Sequence, residues 1–171
     1  MKRRWISLFT LLIPVNLLAG GFQINLMGNR NTAMGHTGTA SKFDASSIFF
    51  NPGAVSFLSK RNLYFNFQAV SPRVTYKAPA PSQTVVENES ALSTPFSFFM
   101  NWKPKDAKWA LGLGVYTPYG SGVKYPQNWT GRFIIQEISI RSFYFQPTFS
   151  YQISEKLGIG AGVVLSYGTA K

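Results

Sequence analysis

Five stretches of this chain alternate apolar and polar residues with a period of two, and this alternation limits the folds open to it. A β-strand places successive side chains on opposite faces, so each stretch predicts a strand with one apolar face. The predicted strands lie within residues 63–69, 95–102, 107–116, 139–153 and 157–168. The fold class is therefore predicted to be all-β.

The polar faces of these strands carry almost no charge. Along residues 139–153 the polar positions include Ser142, Gln146, Thr148 and Ser150, and the apolar ones are mostly phenylalanine. A soluble sandwich usually exposes charged side chains on its wet face. Here only 13% of residues are charged, about half the usual quarter. One face for lipid and one for an uncharged lumen indicate a transmembrane antiparallel β-barrel.

The connections between the strands alternate in length. Ser71 to Thr94 and Thr117 to Gln136 are long and are predicted to be loops, whereas Lys103 to Asp106 and Ser154 to Lys156 are short turns. Outer-membrane barrels have long extracellular loops and short periplasmic turns. Aromatic residues near strand ends would suit the two interfacial girdles, namely Trp102, Trp109, Tyr116 and Tyr151.

The first twenty residues have the features of a secretory signal peptide. A basic start, Lys2-Arg3-Arg4, precedes an apolar stretch from Trp5 to Val15 and the small residues Ala19 and Gly20. The apolar stretch is too short for a spanning helix, which needs about 20 residues. From Gly21 to Leu58 no strand or helix period persists, which predicts a compact, irregular segment.

The composition excludes several kinds of chemistry. The chain has no cysteine and one histidine, His36, so thiol catalysis, disulfide scaffolds and multi-histidine metal sites are ruled out. Seventeen cations against six anions give a net charge of +11, but the cations are scattered and form no basic stripe. We predict no enzyme activity, catalytic residue, cofactor or metal, and no nucleic-acid partner.

Two blocks of sequence resemble the FadL-type long-chain fatty-acid transport proteins of bacterial outer membranes, a family that also holds aromatic-hydrocarbon channels. The first block comprises GFQIN at 21–25, AMGHTGTA at 33–40 and DASSIFFNPGA at 44–54. The second comprises TPYG at 117–120, KYP at 124–126 and NWTGRF at 128–133. The chain departs from the family pattern at Gly53, where Asn-Pro-Ala is usual.

The resemblance implies a monomeric barrel of fourteen strands, about five of them in this chain, with an N-terminal hatch in the lumen. The implied organisation is a signal peptide at 1–20, the hatch at 21–60 and the first strands and loops of the barrel at 61–171. Asn51, Pro52 and Gly53 would form a structural element that seats the hatch. The implied function is passive uptake of long-chain fatty acids or other hydrophobic compounds across the outer membrane.

The resemblance also implies where ligand would bind. Extracellular loops catch an apolar ligand, which passes to a pocket against the first hatch residues and leaves sideways through the barrel wall. Phe22 matches the family's aromatic at this place, and we expect Phe22 and Gln23 to touch ligand. Lys124 and Arg132, in the predicted loop 117–136, are the cations expected to meet a carboxylate. Solvation or contact with lipopolysaccharide phosphate is the alternative for both.

Two other functions fit the same strands. One is a small closed barrel that acts as an adhesin or a membrane anchor, and the other is a secreted soluble β-sandwich that binds a lipid or a sugar. Five strands cannot close, and an open sheet would leave backbone groups unpaired in hydrocarbon. The last residues, Thr169 to Lys171, also lack a terminal aromatic. We therefore expect the N-terminal part of a longer protein or of a truncated gene.

Overall fold

The structure, a computed structural model, describes residues 23–89 and 92–171; the predicted signal peptide and Phe22 lie outside them. The helical elements are α1 (Asn29–Ala33), α2 (Ser47–Phe50) and a 3-10 helix (Pro52–Phe57). The strands are β1 (Arg61–Phe67), β2 (Thr75–Lys77), β3 (Val85–Glu87), β4 (Phe96–Trp102), β5 (Trp109–Tyr116), β6 (Gly120–Lys124), β7 (Glu137–Gln152), β8 (Gly158–Gly162) and β9 (Leu165–Ala170). Among these described residues, no helix combines the length and hydropathy needed to cross a membrane.

Antiparallel pairing joins seven of the described strands into one sheet, with β2 and β3 forming a separate hairpin. The order is β1-β4-β5-β7, and β7 is long enough to pair with two short strands along each edge. One edge carries β5 and β6, and the other carries β8 and β9. The sheet thus contains five long strands in the predicted order, two of them interrupted, and it is open within the described residues.

The two interruptions have different causes. Tyr116 pairs with Tyr144 and Gly120 with Arg141, so three residues, 117–119, oppose only Ser142 and Phe143. This is a β-bulge, and the extra residue exchanges the two faces of the strand beyond it. The break between β8 and β9 faces Pro147, which accepts a hydrogen bond from Val163 N at 3.1 Å but has no N–H to return.

The two predicted long loops are partly wrong. The segment 71–94 contains the β2–β3 hairpin, and the segment 117–136 begins with β6. Lys124 therefore ends a strand instead of lying in a loop. Two glycines, Gly120 and Gly122, removed the apolar alternation by which β6 could have been recognised.

The distribution of side chains is the reverse of that in a soluble protein. The outer face of the sheet exposes apolar residues, including Leu63, Phe65, Phe67, Met100, Phe145 and Phe149. The inner face buries polar ones, including Asn66, Ser97, Asn101, Gln146, Thr148 and Ser150. Apolar-out and polar-in alternation is the pattern of a barrel in lipid, so the all-β transmembrane fold is confirmed and the soluble sandwich is wrong.

One aromatic residue lies on the opposite face from that predicted. Trp102, Trp109 and Tyr151 are on the outer face near the short turns, as a girdle requires. Tyr116 instead points inward and is 2% exposed. Its hydroxyl donates to Gln146 Oε1 at 2.6 Å, so it belongs to the interior and not to a girdle.

The segment from Gln23 to Lys60 covers the inner face of the sheet. Its apolar side chains, Met27, Ala45, Ile48, Val55 and Leu58, are buried together with Phe99, Ala110 and Tyr116 of the strands. Burying a side chain of this size contributes about 1.5–3 kcal/mol. The hydrophobic core therefore lies between the N-terminal segment and the inner face of the sheet, while the outer face has no protein cover in the described part of the chain.

Candidate functional site

Polar side chains of the inner face hold the N-terminal segment by its backbone carbonyls. Asn66 Nδ2 donates to Leu26 O at 2.6 Å, and Ser97 Oγ donates to Met27 O at 3.2 Å. Further along the sheet, Gln146 Nε2 donates to Ile48 O at 3.2 Å. An irregular segment cannot pair its backbone in a ladder, so the strands supply the donors that its buried carbonyls need. This explains why the predicted lumen face is polar and uncharged.

Around the 3-10 helix, side chains of the sheet and its turns both accept hydrogen bonds from the helix backbone and donate hydrogen bonds to it. Ser150 Oγ accepts from Ser56 N at 3.0 Å and donates to Gly53 O at 3.1 Å. Lys103, from the turn between β4 and β5, donates through Nζ to Ser56 O at 2.5 Å and to Gln152 Oε1 at 3.4 Å. These bonds fix the 3-10 helix to β7 and to the turn between β4 and β5, at the end of the sheet that carries the short turns.

The predicted motif Asn51-Pro52-Gly53 lies where backbones approach closely. Asn51 follows α2 with a non-helical backbone, φ −153° and ψ 87°, which avoids the α region that proline disfavours in the preceding residue, and Pro52 begins the 3-10 helix. A β-carbon on Gly160 would lie 2.5 Å from the carbonyl carbon of Pro52, and one on Gly53 would lie 2.6 Å from Gly158 O. Glycine is therefore needed on both sides of this contact, which accounts for the departure from Asn-Pro-Ala.

The first described residues pair with the bulge between β5 and β6. Gln23 forms an antiparallel bridge with Tyr119, and Ile24 N donates to Pro118 O at 2.7 Å. On the other side of the bulge, Ser142 Oγ accepts from Tyr119 N at 3.1 Å. The bulge is thus held open in a defined shape by the start of the N-terminal segment and by the hydroxyl of Ser142.

A cavity of about 290 Å³ opens beside this bulge. Its volume is near the lower end of the range for ligand sites, roughly 300–1,000 Å³. Its apolar wall comes mainly from Ile24, Leu92, Pro95, Ile140 and Phe143, and hydroxyl groups come from Ser93, Thr94, Thr117, Ser139 and Ser142. β7 contributes residues of both its faces to this lining, at the place where the bulge interrupts its pairing.

Arg141 is a cation in the lining of this cavity. It lies opposite Gly120 in the register and follows the exposed apolar positions Phe145 and Phe143 on the outer face of β7. The described residues give it no ion pair, whereas Lys124 is paired with Glu89 and Lys171 with Glu137. Sequence reasoning missed Arg141 because it stands alone in a strand, and only the bulge shows that it borders a cavity.

The structure brings one of the four predicted ligand residues close to this cavity. Gln23 adjoins it through Tyr119 and Ile24, and Phe22 lies outside the described residues. Lys124 Nζ lies 3.6 Å from Glu89 Oε2, and the Arg132 guanidinium lies 4.6 Å from the Phe133 ring centroid. Neither cation lines the cavity, so their contact with a ligand carboxylate stays a prediction.

The second sequence block has an evident structural role. The rings of Tyr125 and Trp129 stack at 4.2 Å, and Tyr76 of the β2–β3 hairpin meets Trp129 edge-on at 5.3 Å. Trp129 Nε1 also donates to Ile135 O at 2.8 Å. The motif therefore fixes the loop before β7 and joins it to the hairpin. No cluster of three or more potential metal-ligating acids or histidines occurs among the residues that the structure describes.

Comparisons with known proteins agree with this geometry. A family model described as outer membrane protein transport protein (OMPP1/FadL/TodX) matches residues 10–171. A protein of Neisseria meningitidis serogroup B, named as an outer membrane protein, is 23% identical over 135 residues, which cover 75% of this chain and 29% of that protein. The crystal structure of a Pseudomonas aeruginosa FadL homologue superposes with a TM-score of 0.66 at 18% identity. That match covers 88% of this chain and 38% of the other, so the chain spans about a third of the length of these relatives.

Proposed function

The chain belongs to the outer membrane protein transport family (OMPP1/FadL/TodX) and lies in the bacterial outer membrane, and from this premise we propose that it serves passive uptake of hydrophobic compounds. Long-chain fatty acids are the substrate class proposed, with the protein acting as a monomer and making or breaking no bond. The cavity at the bulge, lined by apolar side chains and one arginine, is the observation that supports this proposal most directly.

In this proposal residues 21–60 are the hatch, and residues 61–171 are the barrel part of the chain. The proposal is supported by the cover that Gln23 to Lys60 makes over the inner face, through hydrogen bonds that the polar face supplies. An apolar ligand that passed along this polar face would disrupt its hydrogen bonds, so transport requires a path lined by apolar side chains. The cavity at the bulge is the place proposed for such a path, because its lining includes both Ile24 of the hatch and Phe143 of the outer, lipid-facing side.

The cations would act at different steps of transport, capture and retention of the ligand. Lys124 and Arg132 lie near the loops, where they would meet the ligand carboxylate or lipopolysaccharide during capture. Arg141 borders the cavity itself and would hold the carboxylate while the tail lies along Ile140 and Phe143. A charge-assisted hydrogen bond of this kind is stronger than a neutral one, so an anionic ligand would be retained in preference to a neutral hydrocarbon.

Phe22→Ala is expected to lower uptake of a labelled long-chain fatty acid by about tenfold, because one buried aromatic contact contributes roughly 1.5–3 kcal/mol. Uptake is measured in cells that lack any other fatty-acid transporter. Phe65→Ala, which removes an outward phenylalanine of β1, is the matched control and should leave uptake unchanged. If Phe22→Ala and deletion of the hatch both leave uptake intact, the hatch does not act in transport, and a structural barrel becomes the better reading.

Arg141→Gln is expected to weaken binding of oleic acid by about tenfold, since a hydrogen bond to a charged group contributes roughly 1.5–3 kcal/mol and solvent reduces it here. Binding of methyl oleate, which has no carboxylate, should not change. Both are measured by competition with a fluorescent fatty acid on the purified protein, with Arg73→Gln as a control of equal charge. An equal loss for the acid and the ester would mean that Arg141 shapes the cavity without recognising charge.

A further inference from the structure

Cations and tryptophans meet on the outer face at the short-turn end of the sheet. Arg61 begins β1 and lies directly opposite Trp102 at the end of β4. Across the next turn, the rings of Trp102 and Trp109 meet edge-to-face at 5.5 Å. Lys60 precedes Arg61, and Lys105 lies in the turn between β4 and β5. We refer to Lys60, Arg61, Trp102, Lys105 and Trp109 as the basic aromatic platform.

The platform surrounds an open hollow with an excess of positive charge. A space of about 810 Å³ is lined by Lys60, Arg61, Lys103 and Lys105 together with Trp102. Lys103 is committed to Ser56 O and Gln152 Oε1, but the other three have no ion pair among the described residues. Asp106, in the same turn, is the one acidic residue of the Ser59–Arg61 and Trp102–Trp109 segments. Three unpaired cations around one space favour an anion as its occupant.

The position of the platform relative to the membrane indicates which anion would bind there. On β1 the apolar positions Leu63, Phe65 and Phe67 continue outward from Arg61, and all three are exposed. The platform therefore lies at the border of the lipid-facing surface, at the depth where tryptophan rings sit among headgroups. Lysine and arginine at this border can extend their stems along the apolar surface and place their charges at the level of lipid phosphates.

We propose that the basic aromatic platform binds the phosphate of an anionic glycerophospholipid, such as phosphatidylglycerol, in the periplasmic leaflet. Arg61 and Lys105 contact the phosphate, while Trp102 and Trp109 lie against the glycerol and the upper acyl chains. Short turns face the periplasm in barrels of this kind, so the lipid is a phospholipid of the inner leaflet and not lipopolysaccharide. The inference rests on the membrane location alone and is independent of which compound the protein transports.

The test uses the complete protein, purified from outer membranes and placed in phosphatidylcholine nanodiscs that contain traces of brominated lipid. Bromine quenches tryptophan fluorescence on contact, and the platform carries two of the chain's four tryptophans. Brominated phosphatidylglycerol is expected to quench at roughly 25-fold lower mole fraction than brominated phosphatidylcholine, because Arg61 and Lys105 each supply a factor of about five. The double variant Arg61→Gln/Lys105→Gln should lower this preference to near equality.

The control is Arg73→Gln/Lys77→Gln, which removes the same charge at the loop end and should keep the preference. Loss of heat-modifiable mobility would mean that the double variant does not fold. In that case Lys105→Gln alone, at an exposed turn position, should still lower the preference about fivefold. Equal quenching by both lipids in the parent protein would overturn the proposal. So would an unchanged preference in the folded variants, or reversal of quenching by inorganic phosphate, which would indicate a site for a soluble anion.

Discussion

Phe149→Arg is expected to destabilise the folded protein in a bilayer by about 2–4 kcal/mol, the cost of an arginine on the lipid face near the midplane of a barrel. Phe149 is 52% exposed and lies in the apolar stripe that runs from Phe143 to Tyr151 on the outer face of β7. In a soluble protein a side chain as exposed as this would tolerate a charge at little cost. The substitution therefore measures what the outer face contacts.

The matched control is Phe133→Arg. Phe133 is 88% exposed and lies in the loop before β7, where an added cation meets water. Stability is measured by urea titration of the protein in lipid vesicles, followed through heat-modifiable gel mobility. Equal stability of the two variants would show that the outer face of β7 does not meet hydrocarbon, and would contradict the barrel.

Gly160→Ala is expected to release the N-terminal segment from the sheet, with a loss of roughly 1–3 kcal/mol, the usual cost of overpacking. The added β-carbon would lie 2.5 Å from the carbonyl carbon of Pro52 and 2.8 Å from Gly53 N. Both atoms belong to backbone, so the 3-10 helix must move away, and its bonds to Ser150 and Lys103 are lost with it. The loss is read as faster protease cleavage between Ala40 and Leu58 in the otherwise folded protein.

The control for this substitution is Gly168→Ala. Gly168, in β9, pairs with Ser142 along the same edge of β7 and shares the inner face, but its nearest neighbour for a β-carbon is Arg141 O at 3.7 Å, an ordinary contact. Strand propensity changes equally in both variants, so a difference in cleavage reports the contact alone. Equal protection in Gly160→Ala and Gly168→Ala would mean that this contact does not hold the segment in place.

Much of the fold could be predicted because the residues of a strand that face lipid are apolar, and this makes the alternation visible in the sequence. Leu63, Phe65 and Phe67 must face hydrocarbon, and Asn66 must face the interior, so the alternation survives in the sequence. The strand β6 could not be predicted in the same way, because Gly120 and Gly122 carry no apolar signal. Tyr116 was assigned to the wrong face for a related reason, since an aromatic at a strand end fits a girdle and a buried hydrogen bond equally well.

The candidate site was less accessible to prediction. A resemblance in sequence pointed to Phe22 and Gln23 at the start of the N-terminal segment, and the structure brings Gln23 together with Tyr119. Arg141 could not be selected in advance, because its place beside the cavity depends on a bulge that shifts the register by one residue. Lys124 and Arg132 were chosen for their charge and loop position. The ion pair of Lys124 with Glu89, and the placement of the Arg132 guanidinium over the Phe133 ring, became visible only in three dimensions.

The sequence by itself determined the class of fold, the order of the five long strands, and which face of each strand is apolar. It could do so because a period of two is a local property that each strand carries alone. The tertiary structure decided the rest: the bulge at 117–119, the close approach of Gly53 to Gly158 and the cavity beside Arg141. Each depends on residues far apart in the chain meeting at distances of a few ångströms. Local patterns cannot encode such distances, because they follow from how the N-terminal segment and the sheet pack together.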